Sequence, residues 1–332
     1  MKAISLEQLV EEVKSRINAN VMITFHSIGD TDSVSSAAAI LSIFPNAHIS
    51  APDIITSNAL RVLERCGYKK EAISTKFDEN SDLIIIVDAN STSELGNFQQ
   101  PMEKFKKDII VIDHHVNPDM SNAGALVFND ESFNSSASII YELLKRLRFD
   151  ISVPVAKMLC MGIISDSAEL KNATPQTFIQ IGELLSIAKT DYMGILAEFS
   201  HESSIEARLQ TIHSIMHADA FIKHDLIFIY GITDVHAGIA ADDAIKIGAD
   251  IALFKSESSN EVSFSSRLRP TLDTKYGLHF GRIMRKLAPI IEGSGGGHPC
   301  AGGAYGPKKD KYENFFDGFT EEILNTLKSN KK

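Results

Sequence analysis

Short apolar runs alternate with helical patterns through the first half of the chain. The runs are VMITF at 21–25, LIIIV at 83–87 and IIVI at 109–112, and helical stretches such as SVSSAAAILSIF stand between them. Unbroken runs of branched apolar residues are typical of parallel strands that helices bury on both faces. The first half therefore predicts an α/β domain built on a parallel sheet.

The second half of the chain has a different pattern. Strand candidates LIFIYGI (226–232), ADIALFK (249–255) and EVSFSSR (261–267) precede a helical stretch and a glycine-rich segment. A polar stretch with helical spacing, at 201–223, separates the two halves. We predict an N-terminal domain over 1–195, a linker helix over 196–223, and a smaller mixed α/β domain over 224–332. We expect the two domains to face each other across a cleft.

Polar side chains follow each of the three predicted strands of the first half. They are His26, Asp30 and Asp32 after the first strand, Asp88 after the second, and Asp113, His114 and His115 after the third. Taken singly, each has an ordinary explanation, because Asp commonly caps helices and begins turns. The carboxyl ends of parallel strands meet at one edge of a sheet, however, so the three groups converge. Asp166, at the end of the apolar stretch MGIISD, adds a further carboxylate.

The donors gathered in this way contain oxygen and nitrogen but no sulfur. They are His26, Asp30, Asp32, Asp88, His114 and Asp166. Carboxylates with a minority of imidazoles suit Mn²⁺ or Mg²⁺ better than a structural zinc ion. Six donors are too many for one catalytic ion that keeps open positions, so we predict two ions that share a bridging carboxylate. Such a pair, about 3.5–4 Å apart, promotes displacement at phosphorus.

Composition narrows the range of partners. The 332 residues include 33 Lys and Arg against 43 Asp and Glu, a formal net charge of −10. This balance argues against a protein that holds long duplex nucleic acid on a broad basic face. The three cysteines form no metal-binding motif, and no apolar stretch approaches the ~20 residues that cross a bilayer. We expect a soluble cytoplasmic protein that has no membrane partner and could form a homodimer.

The ordered motifs HSIGDTDS, VDANS, DHH, GIISDS and SGGGHPCAGGA resemble the DHH phosphoesterase superfamily. The resemblance is to the branch with the DHH-associated C-terminal domain, which includes RecJ-like exonucleases and oligoribonucleases. It implies that His26 and Asp30 hold one metal, that Asp32, His114 and Asp166 hold the other, and that Asp88 bridges them. It also implies that Asp113 orients the imidazoles, that His115 faces the substrate phosphate, and that a water activated by two metals is the nucleophile.

Seven of the 20 glycines fall between Gly293 and Gly306. Glycine lets a backbone approach a ligand and present its N–H groups to phosphate. In the family this segment binds the nucleotide, so we predict a glycine-rich loop whose substrate contacts are Gly295, Gly296, Gly297 and His298.

Ser265 stands where related proteins often carry an arginine. Because side chains alternate along a strand, Arg267 and then Arg269 point to the same face as residue 265. We predict that Arg267, with Arg269 as the second candidate, supplies the missing guanidinium. The alternative is a solvated edge with two surface arginines.

The leading hypothesis is a metal-dependent phosphodiesterase acting on di- and small oligonucleotides, and on cyclic dinucleotides. The chain leaves no room for an added oligonucleotide-binding barrel. Alternatives are a phosphatase of 3′-phosphoadenosine 5′-phosphate, a single-strand exonuclease and, in a different class, a non-catalytic nucleotide-binding sensor. Inorganic pyrophosphatase is disfavoured, since the Lys/Arg-rich signature of its second domain is missing.

Overall fold

The structure is a computed structural model that describes residues 1–115, 119, 124–199, 204–234, 236–308 and 312–329. The chain divides into two compact units, Met1–His201 and Glu202–Lys332. No helix in the described part of the chain is long and apolar enough to cross a membrane.

The first unit contains a parallel sheet and its covering helices. Its strands are β1 (Lys2–Ala3), β2 (Val21–Thr24), β3 (Ile28–Gly29), β4 (Ala47–Ile49), β5 (Ile54–Ile55), β6 (Leu83–Val87), β7 (Asp108–Asp113) and β8 (Leu126–Asn129). Six of them pair in parallel in the order β1-β8-β7-β6-β2-β4, while β3 and β5 form a separate parallel pair. Its helices are α1 (Leu6–Ser15), α2 (Thr31–Leu41), α3 (Ser57–Arg65), α4 (Gln99–Lys104), α5 (Ser136–Leu147), α6 (Val153–Asp166), α7 (Pro175–Ala188) and α8 (Tyr192–Phe199), with 3₁₀ helices at Lys70–Ala72 and Thr92–Phe98.

Strand β6 shows why these apolar runs form strands. Leu83, Ile85 and Val87 enter the hydrophobic cluster that includes α2, α5 and α6, while Ile84 and Ile86 enter a second cluster. All five side chains are inaccessible to solvent, and burial of each contributes about 1.5–3 kcal/mol. The prediction of parallel strands buried on both faces is confirmed.

The second unit contains a mixed sheet. Its strands are β9 (Asp219–Lys223), β10 (Leu226–Thr233), β11 (Ile251–Glu257), β12 (Glu261–Leu268), β13 (Ser294–His298) and β14 (Ala301–Pro307). Their order is β13-β14-β12-β11-β10-β9, and only the β10/β11 pair is parallel among these strands. Its helices are α9 (Ile205–Met216), α10 (Ala237–Lys246), α11 (Leu272–Tyr276), α12 (Phe280–Leu287) and α13 (Glu313–Ser329), with a 3₁₀ helix at Ala288–Ile291. The α/β class, with a separate mixed domain after the parallel one, is as predicted.

Two local predictions need correction. The predicted linker helix over 196–223 contains helix α9, but its last five residues form β9, and 200–203 lie outside the described residues. His224 and Asp225 both have positive φ, so they form a two-residue hairpin turn that pairs β9 with β10. The glycine-rich segment is not a loop, because β13 and β14 pair along it as an antiparallel hairpin.

Candidate metal centre and substrate surface

The turn from β2 into α2 carries the first carboxylates. Asp30 is the N-cap of α2, and its Oδ1 accepts a hydrogen bond from the Ser33 N–H at 3.0 Å. The same oxygen lies 3.7 Å from His26 Nε2. Asp30 therefore caps the helix and also faces the histidine, so the two interpretations of this residue are compatible.

Asp32, in the first turn of α2, is fully buried. Its two oxygens accept hydrogen bonds from the backbone N–H groups of Ser136 at 2.7 Å and Ala137 at 2.9 Å. These groups begin α5, so the positive end of that helix stabilises the carboxylate. Asp32 is thereby held in one orientation.

Asp88 follows β6 and occupies the centre of the cluster. Its φ of 58° is left-handed, a conformation that Asp adopts more readily than most residues. Its Oδ2 lies 3.5 Å from His26 Nε2, and its Oδ1 lies 3.5 Å from His114 Nε2. The Ser136 hydroxyl donates a hydrogen bond to Oδ1 at 3.0 Å. The two oxygens of Asp88 thus face two different histidines.

His114 and Asp166 complete the cluster. Asp166 is the last residue of α6, and its Oδ2 lies 3.1 Å from His114 Nε2. That nitrogen is buried and has no hydrogen bond of acceptable geometry within the described residues. Gly162 lets α6 approach, because a Cβ there would lie 2.9 Å from Asp32 Oδ1. A cation would satisfy the buried nitrogen.

The predicted ligands come together in three overlapping groups, and within each group one ligand atom per residue lies within 4.8 Å of the others. The groups are His26, Asp30 and Asp88; Asp32, His114 and Asp166; and Asp88, Asp113, His114 and His115. Asp88 and His114 each belong to two groups. Buried carboxylates, imidazoles and one orphaned nitrogen fit divalent cations.

Protonated histidines balance the carboxylates in the metal-free centre. Burial disfavours the charged imidazolium of His26. The hydrogen bonds and charges of Asp30 and Asp88 have the larger effect, and they raise the pKa of His26 to about 10. For His114 burial is likewise outweighed, by Asp166 and Asp88, and its pKa rises to about 11. Burial opposes the ionisation of Asp88, yet His114 and His26 hold its pKa well below the usual range. Metal ions and protons therefore compete for the same nitrogens.

The pKa of Asp32 moves in the opposite direction. Burial and the charges of Asp88 and Asp166 raise the pKa of Asp32 well above its ordinary value. The four-carboxylate set thus carries mutual repulsion that bound cations would relieve.

Asp113 and His115 form a pair beside the centre. The buried Asp113 carboxylate contacts His115 Nδ1 at 2.9 Å and accepts a bond from the His115 backbone N–H at 3.0 Å. The bond to Asp113 raises the pKa of His115 despite partial burial. The His115 side chain is 53% exposed, against 11% for His114. His115 can therefore reach a ligand in solution.

In the second unit, both predicted substrate arginines have carboxylate partners. Arg267 forms a bidentate pair with Asp242, at 2.6 Å from Nε and 3.2 Å from Nη2. Arg269 Nη1 lies 3.3 Å from Asp250 Oδ1, and its Nη2 donates to the Gly248 carbonyl at 2.7 Å. Arg267 lies within β12, whereas Arg269 is one residue beyond it.

The predicted glycine contacts lie in β13, and of the three only Gly296 has room for a Cβ, which would meet nothing closer than Arg285 Nη2 at 3.8 Å. A Cβ at Gly295 would lie 2.5 Å from the Met284 carbonyl oxygen, and a Cβ at Gly297 would collide with the Ala301 carbonyl. Gly297 also has a φ of 130°, so these two glycines are explained by packing and backbone conformation. His298, at the end of β13, is exposed.

Sequence reasoning missed the residues that hold the ligands. Ser136 and the Ala137 N–H fix Asp88 and Asp32, and Gly162 admits α6. The only signal was the NSSAS stretch, which is typical of a helix start. Such a signal does not identify which carboxylates the helix will meet.

Comparisons with known proteins identify the family of the two domains. Residues 20–163 match the model of the DHH family, N-terminal domain, and residues 226–325 match that of the DHHA1 domain. An uncharacterized protein of Methanocaldococcus jannaschii is 29% identical over 297 residues, 86% of this chain and 87% of that protein. A probable manganese-dependent inorganic pyrophosphatase of Shouchella clausii is 27% identical over 157 residues, 45% of this chain and 48% of that protein.

A solved structure extends the comparison to the fold. An exopolyphosphatase-related protein from Bacteroides fragilis aligns with a TM-score of 0.76 at 16% identity, over 98% of each chain. The solved structure supports the fold alone, and the two domain matches show that the chain belongs to the DHH phosphoesterase superfamily of hydrolases, in the branch whose DHH domain is followed by a DHHA1 domain.

Proposed function

We propose that this protein is a phosphodiesterase that hydrolyses short nucleotide substrates with two divalent cations, Mn²⁺ as the first choice and Mg²⁺ as the second. The observation that carries the proposal is the position of Asp88, whose two oxygens face His26 and His114 separately. A carboxylate in that position suits a ligand shared by two ions. The similarity to probable manganese-dependent pyrophosphatases supports the choice of Mn²⁺.

Each residue of the centre has a role in this proposal. His26 and Asp30 would hold one cation, Asp32, His114 and Asp166 the other, and Asp88 both. When bound, the cations supply Lewis acidity toward the phosphate and lower the pKa of water. Ser136 and the N-terminus of α5 keep Asp88 and Asp32 in place, so that little reorganisation is needed.

His115 would act on the substrate itself. Its Nδ1 is held by Asp113, which leaves Nε2 as the nitrogen that can donate to a phosphate oxygen. The bond to Asp113 raises the pKa of His115 and so stabilises the protonated ring. His115 would thereby stabilise the charge that develops on the phosphate.

A short substrate is favoured by charge. A net charge of −10 disfavours a long polyanion lying across the surface. Asp30, Asp32, Asp88 and Asp166 account for four of the negative charges, and two divalent cations would neutralise them. A small substrate needs only this centre and a limited recognition surface.

A substrate panel tests the proposal. Native protein with Mn²⁺ is assayed on diadenylate, short RNA, a cyclic dinucleotide, 3′-phosphoadenosine 5′-phosphate and pyrophosphate, and Asp88→Ala is assayed in parallel. We expect the native protein to prefer dinucleotides and the variant to be inactive. Absence of turnover on every substrate would overturn the enzyme assignment. Preference for pyrophosphate would instead favour the activity named for the partial relatives.

A further inference from the structure

One edge of the second unit's sheet is formed by β9, which helix α9 directly precedes along the chain. Strand β9 pairs with β10 on one side and has no partner strand on the other among the described residues. It contains neither a proline nor a bulge, since all five of its residues pair in register with β10. Proteins usually block such an edge, because its free N–H and C=O groups can pair with another strand. The edge of β9 is open to pairing.

The hairpin turn after β9 determines which of its backbone groups face outward. In a hairpin with a two-residue turn, the residues that flank the turn exchange both hydrogen bonds, and here these are Lys223 and Leu226. Hydrogen-bonded pairs alternate with non-hydrogen-bonded pairs along an antiparallel ladder. The backbone groups of Ala220 and Ile222 therefore point away from β10, to the free edge.

The sequence of β9 is complementary to itself. Asp219 begins the strand and Lys223 ends it, and neither has an ion pair within the described residues. Antiparallel pairing of two β9 strands about Phe221 would place Asp219 of each copy opposite Lys223 of the other. The same register places Ala220 opposite Ile222, so that their outward backbone groups exchange hydrogen bonds. Backbone pairing and charge pairing thus require the same register.

Helix α9 carries an apolar stripe of four side chains that are between 49% and 73% exposed, namely Ile205, Leu209, Ile212 and Met216. Their spacings of four, three and four residues match the seam of a two-helix coiled coil. Thr211 and Ser214, on roughly the opposite side of the helix, are buried, and the Ser214 hydroxyl donates to Thr233 of β10 at 2.8 Å. The stripe therefore faces away from the sheet on which α9 packs.

The stripe and the edge strand lie on the same face of the sheet. Ile222 and Ala220 stand opposite Ile227 and Ile229 of β10, and Ile229 belongs to the cluster that includes Ile215 of α9. Ile222 is 72% exposed, so it extends the apolar surface from α9 to the edge. A two-fold axis at the centre of the paired β9 strands, perpendicular to the sheet, would keep both α9 helices on this face. A continuous apolar surface of this kind is typical of a protein interface.

We propose that the edge of β9 and the apolar stripe of α9 form a two-fold homodimer interface with a second copy of this chain. Pairing of the β9 strands continues the sheet across the interface, and the two α9 stripes pack against each other. A two-fold interface requires a patch that is complementary to itself, and Asp219 and Lys223 meet this requirement. The proposal concerns assembly, and it does not depend on the proposed function.

Charge reversal tests the register. Asp219→Lys would bring lysines together across the interface and Lys223→Asp would bring aspartates together, so each variant alone should raise the dimer Kd by about tenfold or more. In an equimolar mixture of the two variants opposite charges face each other again, and the dimer should form with about the native Kd. Glu131→Lys, a reversal at an exposed residue of the first unit, is the control and should behave as native protein. Analytical ultracentrifugation of the full chain measures each Kd.

A second pair of variants tests the stripe. Ile212→Lys places a charge within the stripe and should make the protein monomeric, while its circular dichroism and urea midpoint stay native because the side chain is exposed. Ile247→Lys is the matched control, since Ile247 is 64% exposed but lies at the end of α10, outside the stripe. This control should remain dimeric.

Three results would overturn the proposal. The first is native protein that remains monomeric at about 1 mM, a concentration at which even a weak dimer is populated. The second is a dimer that neither the charge reversals nor Ile212→Lys weakens, which would place its interface elsewhere. The third is a mixture of Asp219→Lys and Lys223→Asp that dimerises no better than the separate variants. None of these measurements uses turnover, so they decide the interface even if the protein hydrolyses no dinucleotide.

Discussion

The metal centre of the first unit and a glycine-rich surface of the second, which we call the glycine shelf, are built on opposite principles. The centre is made of side chains, and backbone N–H groups or hydroxyls fix its buried carboxylates. The shelf, formed by Gly296, Gly303 and the neighbouring Ser265, is made largely of backbone, and its three residues are half-buried. A centre that binds cations needs fixed donors, whereas the two shelf glycines have room for a Cβ. Substitutions should therefore affect chemistry in the first region and should have little effect on the fold in the second.

Substitution of Asp88 should have the largest effect. Asp88→Asn keeps the shape but removes the charge that faces both histidines, and we expect turnover to fall by at least about 1,000-fold, because even outer partners of metal ligands account for about 10–100-fold. Asp82→Asn, at the other end of β6 and exposed, is the control. Steady-state assays check this prediction. Comparable activity in the two variants would contradict the claim that substitutions in the metal centre affect chemistry.

Metal binding should depend steeply on pH. In the metal-free protein the pKa values of His26 and His114 are about 10 and about 11, so both rings are protonated at pH 7. Metals need the neutral rings, so affinity should rise with pH, by about tenfold per pH unit for each proton displaced. Calorimetry in buffers of different ionisation enthalpy should detect proton release. Metal affinity that did not change between pH 6 and pH 8 would contradict the raised pKa values of the two histidines.

Loss of the hydrogen bond that positions Asp88 should have a smaller effect than loss of the Asp88 carboxylate. Ser136→Ala removes the 3.0 Å hydrogen bond to Oδ1, and we expect metal affinity to fall by about 10–100-fold. Ser138→Ala, on the same helix, removes a hydroxyl that bonds to Gln180 and serves as the control for affinity. Metal titrations of the two variants would distinguish them. An unchanged affinity in Ser136→Ala would show that the hydroxyl does not position the carboxylate.

Two glycine substitutions distinguish a glycine that packing requires from one that has free space beside it. Gly295→Ala places a Cβ against the Met284 carbonyl and should lower the free energy of unfolding by about 1–3 kcal/mol. Gly303→Ala meets nothing closer than 3.8 Å and should change it by less than about 0.5 kcal/mol. Urea denaturation measures both. Equal destabilisation by the two changes would mean that Gly303 is a packing residue and that the shelf is not free space.

The clustering of His26, Asp88 and His114 could be predicted because each of them follows a buried strand. The unbroken run ending at Val87 identifies β6, and strand direction then places Asp88 at the same edge as His26 and His114. The partner of Arg267 could not be predicted, since Asp242 lies on a helix 25 residues away. The position of Arg285 beside Gly296 could not be predicted for a similar reason, because it depends on how α12 meets the edge strand. The local sequence pattern indicates which strand a residue follows. It does not indicate which charged residue, distant in the sequence, will be its ion-pair partner.

The most direct test of the central claim is anomalous diffraction from crystals of the Mn²⁺-loaded protein. The account predicts two manganese peaks, one beside His26 and Asp30 and the other beside Asp32, His114 and Asp166, with Asp88 between them. A single peak, or two peaks that do not share Asp88, would contradict it.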